Sequence, residues 1–471
     1  MRQTRYRQIA ETLAEQIRNK TYLNGEKLPP IRAASQQFSA SVSTIQQAYR
    51  ELEDLGLIEA RPQSGYYVRY DTRAISEPNM LTTSNSPSEV SINKTMLKVL
   101  EQSHRPGLIN LGTAVLHSDF LPLQQLQRII SRLARFNIRE ITTAEFSTGN
   151  EGLRRQIAKR LVSAGCELSP NDVIVTGGCQ DAFSLCLNAV AKPGDIIVIE
   201  SPTFAGLLQT IESLGMKALE IPTHPQHGIS LEALALAIDQ WQVKACALVP
   251  AFNNPLGSSM PAENKKALVS LLAKHQIPLI EDDLFADLNF SGDRIPAAKS
   301  FDKEGLVLYC SSVSKSLGSG LRVGWTCPGR YFEQVKYLKA FRNISGPTLE
   351  QMIVDEFMTT GGYDRHIRYL RNTFARQIQL ISDCIEEYFP KGTTITRPTG
   401  GYVLWVGLPD NADTWELYQL ALNRNITFFP GELFSASGKY NSFLRINAAI
   451  PWNSKTEQAI AVLGQIAHDI I

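Results

Sequence analysis

The chain has no Cys-x-x-Cys pair, and no apolar run approaches the ~20 residues that a membrane-spanning helix needs. Its seven cysteines, an odd number, are scattered, which argues against a disulfide framework or a zinc site and for reduced thiols in the cytosol. Strong charge of one sign is also missing: 471 residues carry a net charge of +1. The small imbalance is uneven. Residues 1–70 hold ten Lys/Arg against seven Asp/Glu, or +3, and the remainder holds 37 against 39, or −2. That permits nucleic-acid binding by the first segment without requiring it. Met1-Arg2-Gln3-Thr4-Arg5-Tyr6-Arg7 is polar and runs into an amphipathic pattern, so no signal peptide is expected and the placement is cytoplasmic. What remains is an ordinary globular composition, 43% hydrophobic and 20% charged, at a length that suggests about three units.

Within residues 1–70, Tyr6, Ile9, Leu13 and Ile17 make one helical face. Asn24-Gly25 breaks it, and Leu28-Pro29-Pro30-Ile31 starts a second helix with proline in its first turn, burying Ile31, Ala34 and Phe38. Ser41 is placed to cap a third helix with Ile45, Ala48, Tyr49, Leu52 and Leu55 inward, stopped by Gly56. Leu57–Ala60 and Tyr66–Val68 then read as a hairpin around Arg61-Pro62-Gln63-Ser64-Gly65. This is an α+β winged helix-turn-helix. Such a unit puts the start of its third helix in the major groove and its hairpin on backbone or minor groove. Val42, Ser43, Gln46 and Gln47 would face bases, while Arg32, Ser41, Thr44 and Arg61 would meet phosphates. A helical docking module without DNA contact has the same pattern.

Residues 71–89 carry Pro78, Pro87 and several Ser/Thr/Asn with little periodicity, the composition of a flexible linker. From residue 90, helical patterns alternate with strand-like runs at Val173–Val175, Ile196–Ile199, Ala218–Ile221, Cys246–Val249, Leu279–Ile280, Val307–Tyr309 and Arg322–Trp325. Alternation of this kind predicts an α/β domain over 90–471 with a largely parallel sheet and its ligand site at the carboxyl ends of the strands. Polar constellations fall at those ends. Thr176-Gly177-Gly178-Cys179-Gln180 opens a helix, where free N–H groups suit a phosphate. Phe204 follows the second strand and could stack on an aromatic ligand or simply be core. Asn254 precedes Pro255 and offers a side-chain donor, though Asn-Pro is also a turn former. Asp282 sits beyond an apolar run, a costly place for a carboxylate without a cationic partner.

The last stretch is Ser312-Val313-Ser314-Lys315-Ser316-Leu317-Gly318-Ser319-Gly320-Leu321-Arg322. A buried amine near other cations loses basicity and can attack a carbonyl. Ser312, Ser314 and Arg322 together suit a phosphate.

The first segment resembles the GntR family of bacterial regulators through Leu28-Pro29-Pro30-Ile31-Arg32, Ser41-x-x-Thr44-Ile45, Leu52-Glu53-x-x-Gly56-Leu57-Ile58 and the Gly65 wing. Val42 and Gln46 stand where that family usually has arginines, which implies a different operator. From about Ile109 onward the order of motifs resembles the fold-type I aminotransferases, with Thr148-Gly149-Asn150-Glu151-Gly152-Leu153-Arg154 and Leu444-Arg445-Ile446-Asn447 included. That resemblance implies a smaller α/β subdomain and pyridoxal 5′-phosphate as cofactor, bound as an aldimine on Lys315. Asp282 would partner the pyridine nitrogen, Asn254 the ring oxygen and Phe204 the ring face. Gly178, Cys179, Gln180, Ser312, Ser314 and Arg322 would hold the phosphate, and Arg445 a substrate or effector carboxylate. Phe285 and Phe146 stand where the family commonly has tyrosines. The combined architecture is similar to the MocR subfamily of regulators. It implies a homodimer, an operator in double-stranded DNA with two half-sites, and sensing of the cofactor or a small amino-containing effector. A working aminotransferase with an appended DNA-binding domain shares every cofactor residue.

Overall fold

A computed structural model describes residues 4–471 apart from 19–20, 23–24, 56, 62–63, 69–74, 84–85, 144–147 and 410–411. Asn24, Gly56, Pro62, Gln63, Phe146 and the first part of the expected linker lie outside the described residues. The chain divides into two compact units, the second beginning at Ser76.

In the first unit, helices Arg5–Arg18, Ile31–Gln37 and Val42–Asp54 precede an antiparallel hairpin, Ile58–Arg61 with Gly65–Val68. The expected apolar faces converge on one core of Ile9, Leu13, Ile17, Ala34, Ile45, Tyr49 and Leu52, with Ile31 and Phe38 partly buried at its margin; Leu55, expected inward, is instead exposed because the helix ends at Asp54. The Ser41 hydroxyl accepts the Thr44 N–H at 3.1 Å, satisfying a helix-start donor that would otherwise be unpaired. The Tyr49 hydroxyl donates to the Pro29 carbonyl at 2.7 Å and ties the third helix to the proline turn.

The stretch expected as linker is in part built into the second unit. Ser88–Glu89 pairs antiparallel with Lys217–His224, Lys439 donates to the Thr82 carbonyl, and Gln226 donates to Glu77. Short edge strands and side-chain-to-backbone bonds of this kind leave no hydrophobic period to read, so composition alone overestimated the free connection.

Among the described residues the second unit carries a nine-stranded sheet. Its order runs Ser88–Glu89, Lys217–His224, Ile196–Ser201, Val243–Leu248, Leu279–Asp282, Val307–Ser312, Gly324–Cys327, Ile174–Thr176, with Gly228–Ile229 off the path. Five consecutive strands of that order, from Lys217–His224 to Val307–Ser312, are parallel. Gly324–Cys327 runs antiparallel to both neighbours, so its amino end lies beside the carboxyl ends of the others. Strand polarity thus brings Arg322, which precedes an antiparallel strand, to the same edge as residues that follow parallel ones. Arg322 itself is not in the strand, contrary to the sequence expectation. It adopts left-handed backbone angles after a short 3-10 turn, and the strand starts at Gly324. A second, four-stranded antiparallel sheet orders Thr394–Ile395, Val403–Gly407, Phe443–Asn447 and Phe429–Pro430. No described helix is long and apolar enough to cross a membrane.

Candidate functional site

On the first unit, Ser41, Val42, Ser43, Gln46 and Gln47 are exposed at the start of the third helix, and Thr44 is half-buried under the Ser41 cap. Arg32 is exposed one residue into the second helix. In the hairpin, Arg61 lies 4.4 Å from the centroid of Tyr67 and donates to Glu59 at 2.7 Å. Gly65 has φ +118, and a Cβ there would meet the Lys27 side chain at 2.9 Å. Lys27, absent from the sequence expectations, stands 5.9 Å from the Tyr67 ring, so this ring has a cation on each of two neighbouring residues.

On the second unit, one cavity of about 170 Å3 is lined by Cys179, Gln180, Phe204, Asp282, Ser312, Ser314, Lys315 and Arg322 together. Each reaches it from a strand end or the turn beyond. Gly178 caps the helix Cys179–Val190 with φ +100, and a Cβ there would collide with the Arg322 guanidinium. That close approach needs glycine. Arg322 donates to the Gly177 carbonyl at 2.7 Å, which closes the turn against the lysine loop. The Cys179 side chain turns inward, its Sγ 3.7 Å from Asp282, so only its backbone belongs to the helix start. Gln180 donates to the Gly206 carbonyl and to Thr210.

Asp282 ends its strand in full burial, accepting the Leu284 N–H at 3.1 Å. Burial and the adjacent Asp283 push its carboxyl up to about 7. It makes no salt bridge among the described residues. Lys315 Nζ donates to the Ala114 carbonyl at 2.6 Å and lies 5.8 Å from the centroid of Phe285. Burial, and then Arg445, bring its amine down to about 8, against a smaller opposing pull from Asp282. Phe285 is buried and packs edge-on against Tyr402. The Tyr402 hydroxyl donates to the same Ala114 carbonyl at 3.2 Å.

Arg445 is buried on the strand Phe443–Asn447 against the adjacent rings of Phe429 and Phe434, 4.7 and 5.0 Å from their centroids. It donates to the Gly112 carbonyl and, at 2.9 Å, to Asn254 Oδ1. That bond fixes the Asn254 amide so that Nδ2 remains as its donor. Burial lowers the Arg445 guanidinium, which stays charged at neutral pH. Ala114 and Tyr402 were not found from sequence. A backbone carbonyl leaves no residue signature, and Tyr402 reads as an ordinary core aromatic after Gly400-Gly401.

Residues 107–463 match the family aminotransferase class I and II, and residues 5–68 match the bacterial regulatory proteins of the gntR family. Relatives include the uncharacterized HTH-type transcriptional regulator YjiR of Escherichia coli (strain K12), 39% identical with 99% of each chain covered. YdcR of the same organism, also an uncharacterized HTH-type transcriptional regulator, is 35% identical with the same coverage. The chain belongs to the MocR-type regulators. Among solved structures, a kynurenine aminotransferase of Pyrococcus horikoshii superposes with a TM-score of 0.74 at 25% identity, covering 81% of this chain and 95% of that one. The regulator thus joins a GntR helix-turn-helix unit to the fold-type I aminotransferase architecture, and the DNA-binding and aminotransferase-like character expected from sequence stands.

Proposed function

We propose that this chain is a DNA-binding transcriptional regulator whose second unit holds pyridoxal 5′-phosphate at Lys315 and responds to the cofactor or an amino-containing effector. One observation carries the reading: the same chain presents an exposed helix-turn-helix face and a buried Asp282–Lys315 site. The residues present fit the cofactor. A carboxylate that burial and the adjacent Asp283 raise to about 7 suits a protonated ring nitrogen, whose charge would draw it back down. Arg445 occupies the Asn254 Oδ1 and leaves Nδ2 as the donor for a ring oxygen, and Phe204 lines the cavity where it would stack on a ring. Gly178, Cys179 and Gln180 offer a helix start, and Ser312, Ser314 and Arg322 offer hydroxyls and a guanidinium, for a phosphate.

When bound, the pyridoxal group supplies an electron sink for an amine attached to it. Lys315 would capture the aldehyde through the neutral amine that burial favours, and Arg445 would hold a carboxylate. On DNA, Val42, Ser43, Gln46 and Gln47 would read bases, with Arg32, Ser41, Thr44, Arg61 and the Gly65 wing on backbone. The working form is a homodimer in the cytoplasm that spans two half-sites. The test is operator binding by the full chain, with and without pyridoxal phosphate and a panel of amino compounds. Operator affinity should change with occupancy of the Lys315 site, and Lys315→Ala should lose the response and the cofactor absorbance. A lysine poised near neutral pH also suits proton transfer in transamination. Rapid repeated turnover with a 2-oxo acid, with operator affinity unmoved, would establish that second reading and sink the first.

A further inference from the structure

We infer that the amino ligand of the Lys315 site is an α-amino acid with a large uncharged side chain, and that the site disfavours dicarboxylic amino acids. This rests on the reading of Lys315 and Arg445 above. A second cavity of about 550 Å3 shares Lys315, Gln180 and Phe204 with the first but lacks Asp282, Ser314 and Arg322. If the cofactor fills the first, an amine that takes the place of Lys315 on it would send its substituents into the second. That volume lies within the range of small-molecule sites.

Charge decides what the substituents are. Lys315 and Arg445 are the Lys or Arg side chains on the lining of this cavity. Arg445 lies against two rings, with two bonds committed to Asn254 and Gly112 and a buried Nε that has no partner among the described residues. It is fixed for a single carboxylate. Several of the other polar groups on the lining already have partners. His104 Nδ1 sits 2.7 Å from the Leu100 carbonyl, and His117 Nδ1 accepts the Asp119 N–H with the Asp119 carboxylate 3.4 Å away. Asn110 accepts from Gly112 and Thr113 and donates to the Ser103 carbonyl. A second carboxylate would therefore find no further Lys or Arg side chain among the described residues of the lining. Apolar surface is available instead from Met96, Leu100, Val115, Leu116, Phe429 and Ile450. Burying a hydrocarbon side chain there is favourable and grows with its area.

The experiment is calorimetric titration of the cofactor-loaded full chain with L-alanine, L-leucine, L-methionine, L-phenylalanine and L-glutamate, with cofactor absorbance followed in parallel. At least one of the three large apolar amino acids should bind about tenfold or more tightly than alanine, the discrimination a hydrophobic pocket gives per methylene. Glutamate should bind no more tightly than alanine. Cofactor retained, but with glutamate the tightest ligand or with affinities indifferent to side chain, overturns this inference alone. A chain whose absorbance before titration shows no retained cofactor overturns the reading of the site and the inference with it.

Discussion

Capture of pyridoxal phosphate by the full chain should rise about tenfold per pH unit at acidic pH and level off near pH 8, because only a neutral amine attacks an aldehyde. The perturbation is pH itself, and the magnitude follows from the amine's surroundings. Lys315 is brought down to about 8 by burial and then by Arg445. At pH 7 roughly one-tenth of it is neutral, against roughly one part in 3,000 for an ordinary lysine, a gain of about 300-fold. Stopped-flow absorbance on cofactor-free protein gives the rate. A parallel series with N-acetyl-lysine removes the cofactor's own titrations. A protein rate that keeps climbing alongside the reference amine to pH 10 would refute the argument. The electrostatic part can be tested separately, since Asp282 favours the charged amine and Arg322 opposes it. Asp282→Asn should move the inflection down and Arg322→Gln should move it up. No shift in either variant would mean that burial alone sets the value, and shifts of the same sign would refute the opposed roles of the two charges.

Three further outcomes follow from single contacts. Asp282→Asn should weaken cofactor retention by about 2 kcal/mol, roughly 30-fold, the scale of one hydrogen bond to a charged group, as measured by equilibrium fluorescence titration. Arg32→Ala should weaken binding to all DNA sequences and reduce the salt slope by about one, whereas Gln46→Ala should relax choice at one base pair by about 1–3 kcal/mol; equal losses on specific and random DNA in both would misplace the recognition helix. Ser41→Ala removes the acceptor of the Thr44 N–H and should cost about 1 kcal/mol, read as faster amide exchange over Val42–Asp54 with the second unit unaffected.

The legible parts of this chain are those in which a local rule and the global fold agree. Ser41 reads as a cap because its own hydroxyl does the work three residues on. Strand runs such as Ile196–Ile199 are buried on both faces and therefore continuous in sequence. Ordered motifs at strand ends gave the cavity around Lys315 because a parallel sheet collects those ends at one edge. What sequence could not show depends on partners distant along the chain. The Lys315–Ala114 bond spans 201 residues and uses a carbonyl. The inward turn of Cys179 toward Asp282 depends on the helix Cys179–Val190 packing against the strand Leu279–Asp282. Arg322 reads as a strand residue, yet its left-handed backbone is set by the approach of Gly177 and Gly178. The edge strand Ser88–Glu89 is two residues long, too short for any period to register.

Regulation through the Lys315 site makes a demand that catalysis does not. A ligand shifts operator affinity only by binding two states of the protein unequally, and that coupling is reciprocal. If an amino ligand changes operator affinity by some factor, saturating operator DNA must change the affinity for that ligand by the same factor, and couplings of this kind typically run about 5–150-fold. Both halves are measurable on one preparation, DNA affinity by fluorescence anisotropy and ligand affinity by cofactor absorbance. Equal factors would tie the lysine chemistry to the DNA face, whichever amino acid proves to be the ligand. A ligand affinity indifferent to operator, under conditions where both bind, would mean that ligand binding at the second unit does not regulate DNA binding. Lys315→Ala sharpens the comparison: it should abolish the ligand's effect on DNA while leaving the winged helix able to bind.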